Sequence, residues 1–323
     1  MSTAATDLVY YTDAQPGIRR QRRGRGFSYI AADGTTIARG AERSRLEALA
    51  VPPAYEDVWM CPLPNGHLQA TGWDARSRKQ YRYHPDWSAA QAETKFTHLV
   101  EFGHALPRIR RRVTRDLSEE PGDRDFALAS AVALIDRFSM RVGNADYTRE
   151  NSSYGALTLQ RKHVRLKGNE ILLSFTAKGG KAVRKRLTDK KLAKVLGQIG
   201  DLPGAELLGW VDAQNAQHSL SSSALNAYLS EAAALDHVTA KTFRTWAGTV
   251  AAFEVAEAGG ATIKAIAEAA AERLHNTPTV ARNSYIHPRV IDLAGSEPLN
   301  VDAPETSGLR ASERRLLHFL DGG

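Results

Sequence analysis

The 323-residue chain carries a single cysteine, Cys61. One thiol closes no internal disulfide and builds no thiolate zinc site, which fits a reducing, intracellular compartment. No run reaches the roughly 18 apolar residues of a membrane-span candidate, and Met1–Gln15 lacks the apolar stretch of a signal peptide. A cytoplasmic protein without a membrane partner is therefore expected. Closely spaced aspartates that would hold magnesium are missing, and His104, His275 and His287 show no ligand spacing with acids or with Cys61. No metal is expected on that reading. A phosphate loop is missing too, because Lys178-Gly179-Gly180-Lys181 has neither the length nor the strand-to-helix context of one. Use of ATP or another nucleotide cofactor is accordingly not expected, and no serine sits in a nucleophile elbow.

What is present is basic. The formal net charge is +7, with Arg19, Arg20, Arg22, Arg23 and Arg25 in one cluster and Arg108, Arg110, Arg111, Arg112 and Arg115 in another. Such clustering points to a polyanionic partner, although either run taken singly is more often a solvated face. With 42% hydrophobic residues the chain can build a sizeable core, and its length has room for two domains.

Residues 1–88 read as a small β-rich domain and residues 89–323 as a mainly helical one. In the first, Phe27–Ile30, Val58–Met60, Leu68–Gly72 and Arg78–Tyr83 are strand-like, and Asp33-Gly34 predicts a hairpin turn into Thr35–Ala38. In the second, Ala92, Phe96, Leu99, Val100 and Leu106 line one helical face, and Ile109, Val113 and Leu117 form a narrow stripe after Pro107. Asp125–Met140 is apolar nearly all round, a buried helix ending at Arg141. Strands are expected over Ala156–Gln160, His163–Lys167 and Glu170–Thr176. Gly179-Gly180 then turns the chain into Lys181–Leu187 and sets Lys178 at a hairpin tip. Helices follow over Asp189–Ile199, Ser221–Ala234 and Thr239–Ala258. Another starts with Thr277 as N-cap and Pro278 at N1, and Pro288 stops it. Gly295–Gly308 reads as a linker before a terminal helix over Leu309–Leu320.

Four residues stand in an order that suits phosphodiester chemistry: Arg141, Lys178, Arg244 and Tyr285. A phenol of ordinary pKa about 10 is a weak nucleophile, so attack on phosphate needs fixed positive charge around it. Two guanidiniums can hold the non-bridging oxygens and a lysine can protonate the departing oxygen. Each residue has a bland alternative, as a helix cap, an ion-pair partner, a hairpin lysine or a half-buried aromatic. Their joint occurrence in these contexts lowers that alternative.

The local contexts resemble type IB DNA topoisomerases of the short poxvirus-like form that also occurs in bacteria. Gly72-Trp73-Asp74-Ala75-Arg76-Ser77-Arg78-Lys79-Gln80-Tyr81-Arg82-Tyr83-His84-Pro85 is similar to that family's DNA-contacting signature. Arg141-Val142-Gly143-Asn144, Phe175-Thr176-Ala177-Lys178, Phe243-Arg244-Thr245-Trp246 and Ser284-Tyr285-Ile286-His287-Pro288 are similar to its catalytic segments. The resemblance implies an α+β fold: a β-rich N-terminal DNA-binding domain, then a helical catalytic domain with a three-stranded sheet and a tyrosine-recombinase-like core. It implies a monomer that closes around double-stranded DNA in the nucleoid and relaxes supercoils through a 3′-phosphotyrosyl intermediate, without ATP or obligatory metal.

By the same resemblance Tyr285 is the nucleophile, Arg141 and Arg244 clamp the phosphate, and Lys178 is the general acid. Nine residues before the tyrosine, where the viral enzymes place a histidine, stands Asn276, whose amide can still donate a hydrogen bond; His275 is one place off register. Gln80, Tyr81, Tyr83, Tyr147 and Lys241 match DNA-contacting positions. For the β-strand aromatics the alternative is packing in a core. A tyrosine recombinase uses a similar constellation, but usually with a histidine three residues before the second arginine, where this chain has Lys241, and with a helical N-terminal domain. A non-catalytic DNA-binding module is argued against by the intact set of four.

Overall fold

A computed structural model describes residues 7–75, 77–200 and 206–322, with the side chains of residues 92, 93, 146, 147 and 200 outside that description. The chain divides into two compact units, Met1–Lys95 and Phe96–Gly323. Together they make an α+β protein with a β-rich N-terminal part and a helical C-terminal part.

In the first unit, β1 (Ile18–Arg23), β2 (Gly26–Ile30), β3 (Glu56–Met60), β4 (Leu68–Trp73) and β5 (Lys79–Tyr83) form one antiparallel sheet in the order β2-β1-β3-β4-β5. Alternation decides what each face buries. Ile18, Tyr29, Val58, Met60 and Ala70 pack with Leu46 of helix α1 (Ala41–Ala48), while Trp59, Cys61 and Leu68 form a second cluster. The turn at Asp33-Gly34 exists, held by Ala31 N to Thr35 O at 2.8 Å. Its second limb pairs only at Thr36, so the expected hairpin strand over Thr35–Ala38 is a single bridge. The true hairpin is β1–β2, closed at Gly24 with φ +55°. Arg20 is not a free cation of the arginine run: it donates to the carbonyls of Val51, Pro52 and Tyr55.

Helix α2 (Pro85–Asp116) runs unbroken through Pro107, and the division between the units falls inside it. Beyond it, α3 (Arg124–Phe138) is buried as its composition requires. After α4 (Ala145–Asn151) the expected strand Ala156–Gln160 is instead a 3₁₀ turn over Ala156–Thr158. Its amides at Ala156 and Leu157 are taken by the carbonyls of Arg141 and Val142, both at 2.8 Å, so they are not available to a sheet. The three-stranded antiparallel sheet is β6 (Val164–Lys167), β7 (Glu170–Ala177) and β8 (Lys181–Thr188).

Then come α5 (Lys190–Gly200), the short pair β9 (Gly209–Val211) and β10 (Gln217–Ser219), α6 (Ser222–Ala233), α7 (Ala240–Ala256), α8 (Ile263–Leu274), α9 (Pro278–Tyr285), α10 (Pro288–Ile291) and α11 (Ala311–Asp321). Helix α8 adds to the sequence expectations, and Pro288 opens α10 as its first residue as well as standing after α9. The second arginine run is partly internal. Arg110 bridges Asp136 and Glu313 at 2.8 Å each, and Arg112 pairs with Glu231 at 2.9 Å and closely with Asp116. Glu313 is 1% exposed and also accepts from Trp246 Nε1, so this pairing fastens α11 to α2, α3 and α7. Removing one partner would leave a buried charge uncompensated.

Candidate active site

Helix α7 presents Arg244 and, one turn on, Gly248 toward Tyr285 at the end of α9. A methyl added at Gly248 would lie 2.8 Å from the Tyr285 carbonyl oxygen and 3.1 Å from its Cβ, so only glycine lets the two helices approach this closely. Beside it the Thr249 hydroxyl donates toward the carbonyls of Thr245 (2.9 Å) and Tyr285 (3.2 Å) and accepts from His287 N (3.2 Å). Tyr285 is thereby held from its backbone. Its side chain is 8% exposed, and the Arg244 guanidinium lies 5.3 Å from its ring centroid.

Arg244 is itself 5% exposed and donates to two helix ends, the carbonyl of Ser139 just after α3 and that of Leu274 at the end of α8 (3.0 Å). Both helices stop through a left-handed residue, Ser139 (φ 52°) and His275 (φ 51°). These stops direct Arg141 and Asn276 to one another: Arg141 Nη2 donates to Asn276 Oδ1 at 2.6 Å. The Arg141 segment is fixed by a glycine pair. Gly143, at φ +92°, lies so near Gly155 that a Cβ on Gly155 would come within 2.4 Å of Gly143 N.

Burial by itself raises the Tyr285 phenol, but Arg244 and Arg141 outweigh it by charge and hydrogen bond, and its pKa falls below the ordinary value. Burial, then repulsion from Arg141, draws Arg244 down to about 10, which leaves it cationic at neutral pH. His275 is lowered by burial, then by Lys185 and Arg244, so it stays neutral. Of the buried side-chain atoms without a hydrogen-bond partner among the described residues, three lie at this site: Arg244 Nε, Asn276 Nδ2 and Ser139 Oγ. Because Asn276 Oδ1 is committed to Arg141, the free end of that amide is a donor. A cluster of unpaired donors and guanidiniums around a phenol suits an anion that meets a nucleophilic oxygen.

Lys185 on β8 was not among the expected site residues. Its ammonium donates to the carbonyls of Phe138 and Arg273 (3.2 Å), each one residue before the pair that Arg244 binds. Two cations from different elements thus tie the same two helix ends together. Burial, then Arg273 and Arg244, lowers Lys185 to about 7. The unfolded chain binds this proton up to about pH 10.4, so unfolding takes up a proton between about pH 7 and 10. Stability should therefore rise with pH across that window. Chemical denaturation of wild type and Lys185→Met at several pH values should show wild type gaining on the variant from pH 7 to 10. A pH-independent difference would reject the lowered pKa.

The remaining expected residues are placed as follows. Lys178 is exposed at the β7–β8 tip, where Gly179 and Gly180 both have positive φ. Thr176 O accepts from Tyr154 N at 2.8 Å and so ties its hairpin to the loop beside Gly155. Lys241 is exposed on the first turn of α7. Tyr147 lies in α4 and its side chain is outside the described residues, as is Arg76. On β5, Tyr81 and Tyr83 are 50% and 45% exposed and stack with centroids 6.2 Å apart, so they are not packed in a β core. Gln80 donates to Asp74 Oδ2 at 3.0 Å.

A buried phenol flanked by two guanidiniums has the equipment of an enzyme that transfers phosphoryl groups through tyrosine. Residues 83–283 match the family described as eukaryotic DNA topoisomerase I, catalytic core, and residues 26–74 match the bacterial DNA topoisomerase IB N-terminal domain. The chain belongs to the type IB DNA topoisomerase family, and is an isomerase that relaxes supercoiled DNA by transient single-strand cleavage and religation. It is 26% identical over 298 residues to DNA topoisomerase 1B of Acanthamoeba polyphaga mimivirus, covering 87% of this chain and 88% of the relative. It is 28% identical over 127 residues to DNA topoisomerase 1B of vaccinia virus (strain Copenhagen), and 27% over 124 residues to DNA topoisomerase I of monkeypox virus. Those two matches cover 38% of this chain and 39% of each relative. Among the described residues no helix is long and apolar enough to cross a membrane.

Proposed function

We propose that Tyr285 attacks the scissile phosphate to form the 3′-phosphotyrosyl bond, with Arg141 and Arg244 on the non-bridging oxygens and Lys178 as proton donor to the 5′-oxygen. The observation that carries this reading is the set of orphaned donors beside the phenol. Arg244 Nε and Asn276 Nδ2 are buried without partners next to a tyrosine whose phenol two arginines hold below its ordinary pKa, and a phosphate oxygen is the acceptor that such donors fit. Lys178 needs reach, and its glycine-flanked exposed tip supplies it.

The same reading gives the catalytic unit a tyrosine-recombinase-like fold. It assigns the exposed Tyr81 and Tyr83, together with Gln80, Tyr147 and Lys241, to contacts with duplex DNA, phosphate contacts positioning and base contacts specifying. The enzyme acts as a monomer, without a nucleotide cofactor, on nucleoid DNA. Supercoiled plasmid should relax in EDTA without ATP. Dependence on ATP would reject the reading.

Asn276 gives a sharper test. Asn276→Ala removes a donor to the phosphate and a partner of Arg141, and single-turnover cleavage of a suicide substrate should slow by on the order of 10- to 1,000-fold, as for a lost oxyanion donor. His275→Ala should be mild, since its imidazole is held neutral by a lowered pKa and its part in the helix cap is made by its backbone. A crippled His275→Ala with a normal Asn276→Ala would move the role to the histidine.

A further inference from the structure

We infer that His98, Glu101 and His237 form a binding site for a zinc-class divalent cation, apart from the phosphodiester chemistry. His98 and Glu101 stand three apart on α2 and so share a face, and His237 reaches them from the turn between α6 and α7. One ligand atom from each lies within 4.8 Å of the others. Tetrahedral ligands at zinc bond lengths of 2.0–2.2 Å sit about 3.4 Å apart, so the present spacing exceeds that of a closed site by no more than about 1.4 Å.

Two details favour a shared ion over an ordinary ion pair. His237 Nε2 lies 3.0 Å from a Glu101 carboxylate oxygen, yet the nitrogen is buried and not aligned to donate a hydrogen bond. The imidazoles of His98 and His237 stack with centroids 3.7 Å apart and an interplanar angle of 15°, which brings two nitrogen ligands close to one carboxylate. Two imidazoles and a carboxylate suit zinc, cobalt or copper better than magnesium or calcium, which prefer all-oxygen shells.

The turn that carries His237 is already ordered. Val238 is fully buried, Val238 N donates to Leu235 O at 3.2 Å, and Ala240 N donates to Asn226 Oδ1 at 3.1 Å. Thr239, two residues after His237, caps α7, the helix that carries Arg244. A bound ion would therefore brace the start of α7 against α2.

The test is titration of the metal-stripped full chain with Co²⁺, read as visible ligand-field absorption, with Zn²⁺ as competitor. Wild type should bind one Co²⁺ per chain and lose the band on adding Zn²⁺. His98→Ala, His237→Ala and the near-isosteric Glu101→Gln should each weaken binding by at least about 10-fold. His104→Ala, whose ring pairs with Asp321 at 3.0 Å elsewhere on α2, should bind like wild type. Circular dichroism without metal checks that each variant is folded, and Glu101→Gln keeps the test decisive if a histidine variant is not. Absence of a band in wild type, or equal affinity in wild type and Glu101→Gln, overturns the proposal.

Discussion

Tyr285→Phe should abolish the protein–DNA adduct and reduce relaxation by at least about 10⁴-fold, in the range found when a covalent nucleophile is removed. The substitution deletes only the hydroxyl. The ring that Arg244 faces at 5.3 Å remains, as do the Thr249 contacts to the Tyr285 carbonyl and His287 amide. Folding and DNA binding should therefore be retained, and a gel-shift assay beside the relaxation assay separates the two effects. Two arginines that lower the phenol's pKa also favour the phenolate as a leaving group, so religation should fail together with cleavage. Persistence of a 3′-linked adduct in the variant would remove Tyr285 from its assigned role.

The second large effect separates proton donation from charge stabilisation. Lys178→Ala should slow cleavage of normal DNA by about 10²- to 10⁴-fold, the range of general acid catalysis. Arg244→Ala should cost about 10³- to 10⁵-fold, as for a guanidinium that stabilises a transferring phosphoryl group. A substrate whose 5′-bridging oxygen is replaced by sulfur releases a thiolate that needs no proton. On it Lys178→Ala should recover most of its lost rate, whereas Arg244→Ala should gain little. Equal rescue of both would show that Lys178 has no distinct part in leaving-group departure. Arg244 also donates to Ser139 O and Leu274 O, so its variant needs a thermal melt beside the kinetics to exclude loss of the helix ends it joins.

The local elements around the site follow from short-range signals. Thr277 accepts from Val280 N and Pro278 begins α9, as capping and a preset φ require. Gly179 and Gly180 turn the β7–β8 hairpin at positive φ, and α3 is buried because its middle turns, Phe126 to Ile135, are apolar nearly all round. Helix α8 was within reach of the same reasoning. Thr262 caps it, and Ile266, Ala267, Ala270, Ala271 and Leu274 line its buried face, but alanine is a weak hydrophobic marker. The segment Ala156–Gln160 went the other way. Its alternation fits a strand, yet its amides pair with Arg141 and Val142 across the Gly143–Gly155 contact.

The sequence by itself determined which residues are candidates for the chemistry, because Arg141, Lys178, Arg244 and Tyr285 each sit in a recognisable local context, and in an order that proximity in space does not have to respect. Only the tertiary structure decided how they are held. Lys185 and Arg244 bind adjacent carbonyls at the ends of α3 and α8, which lie more than a hundred residues apart in the chain. The direction of the Asn276 amide follows from Arg141, and His237 meets His98 and Glu101 only through packing of α2 against the α6–α7 turn. Hydrogen bonds and ligand sets of this kind depend on positions of atoms to within an ångström. Spacing along a chain carries that information only within a single helix or hairpin, where backbone geometry converts sequence separation into distance.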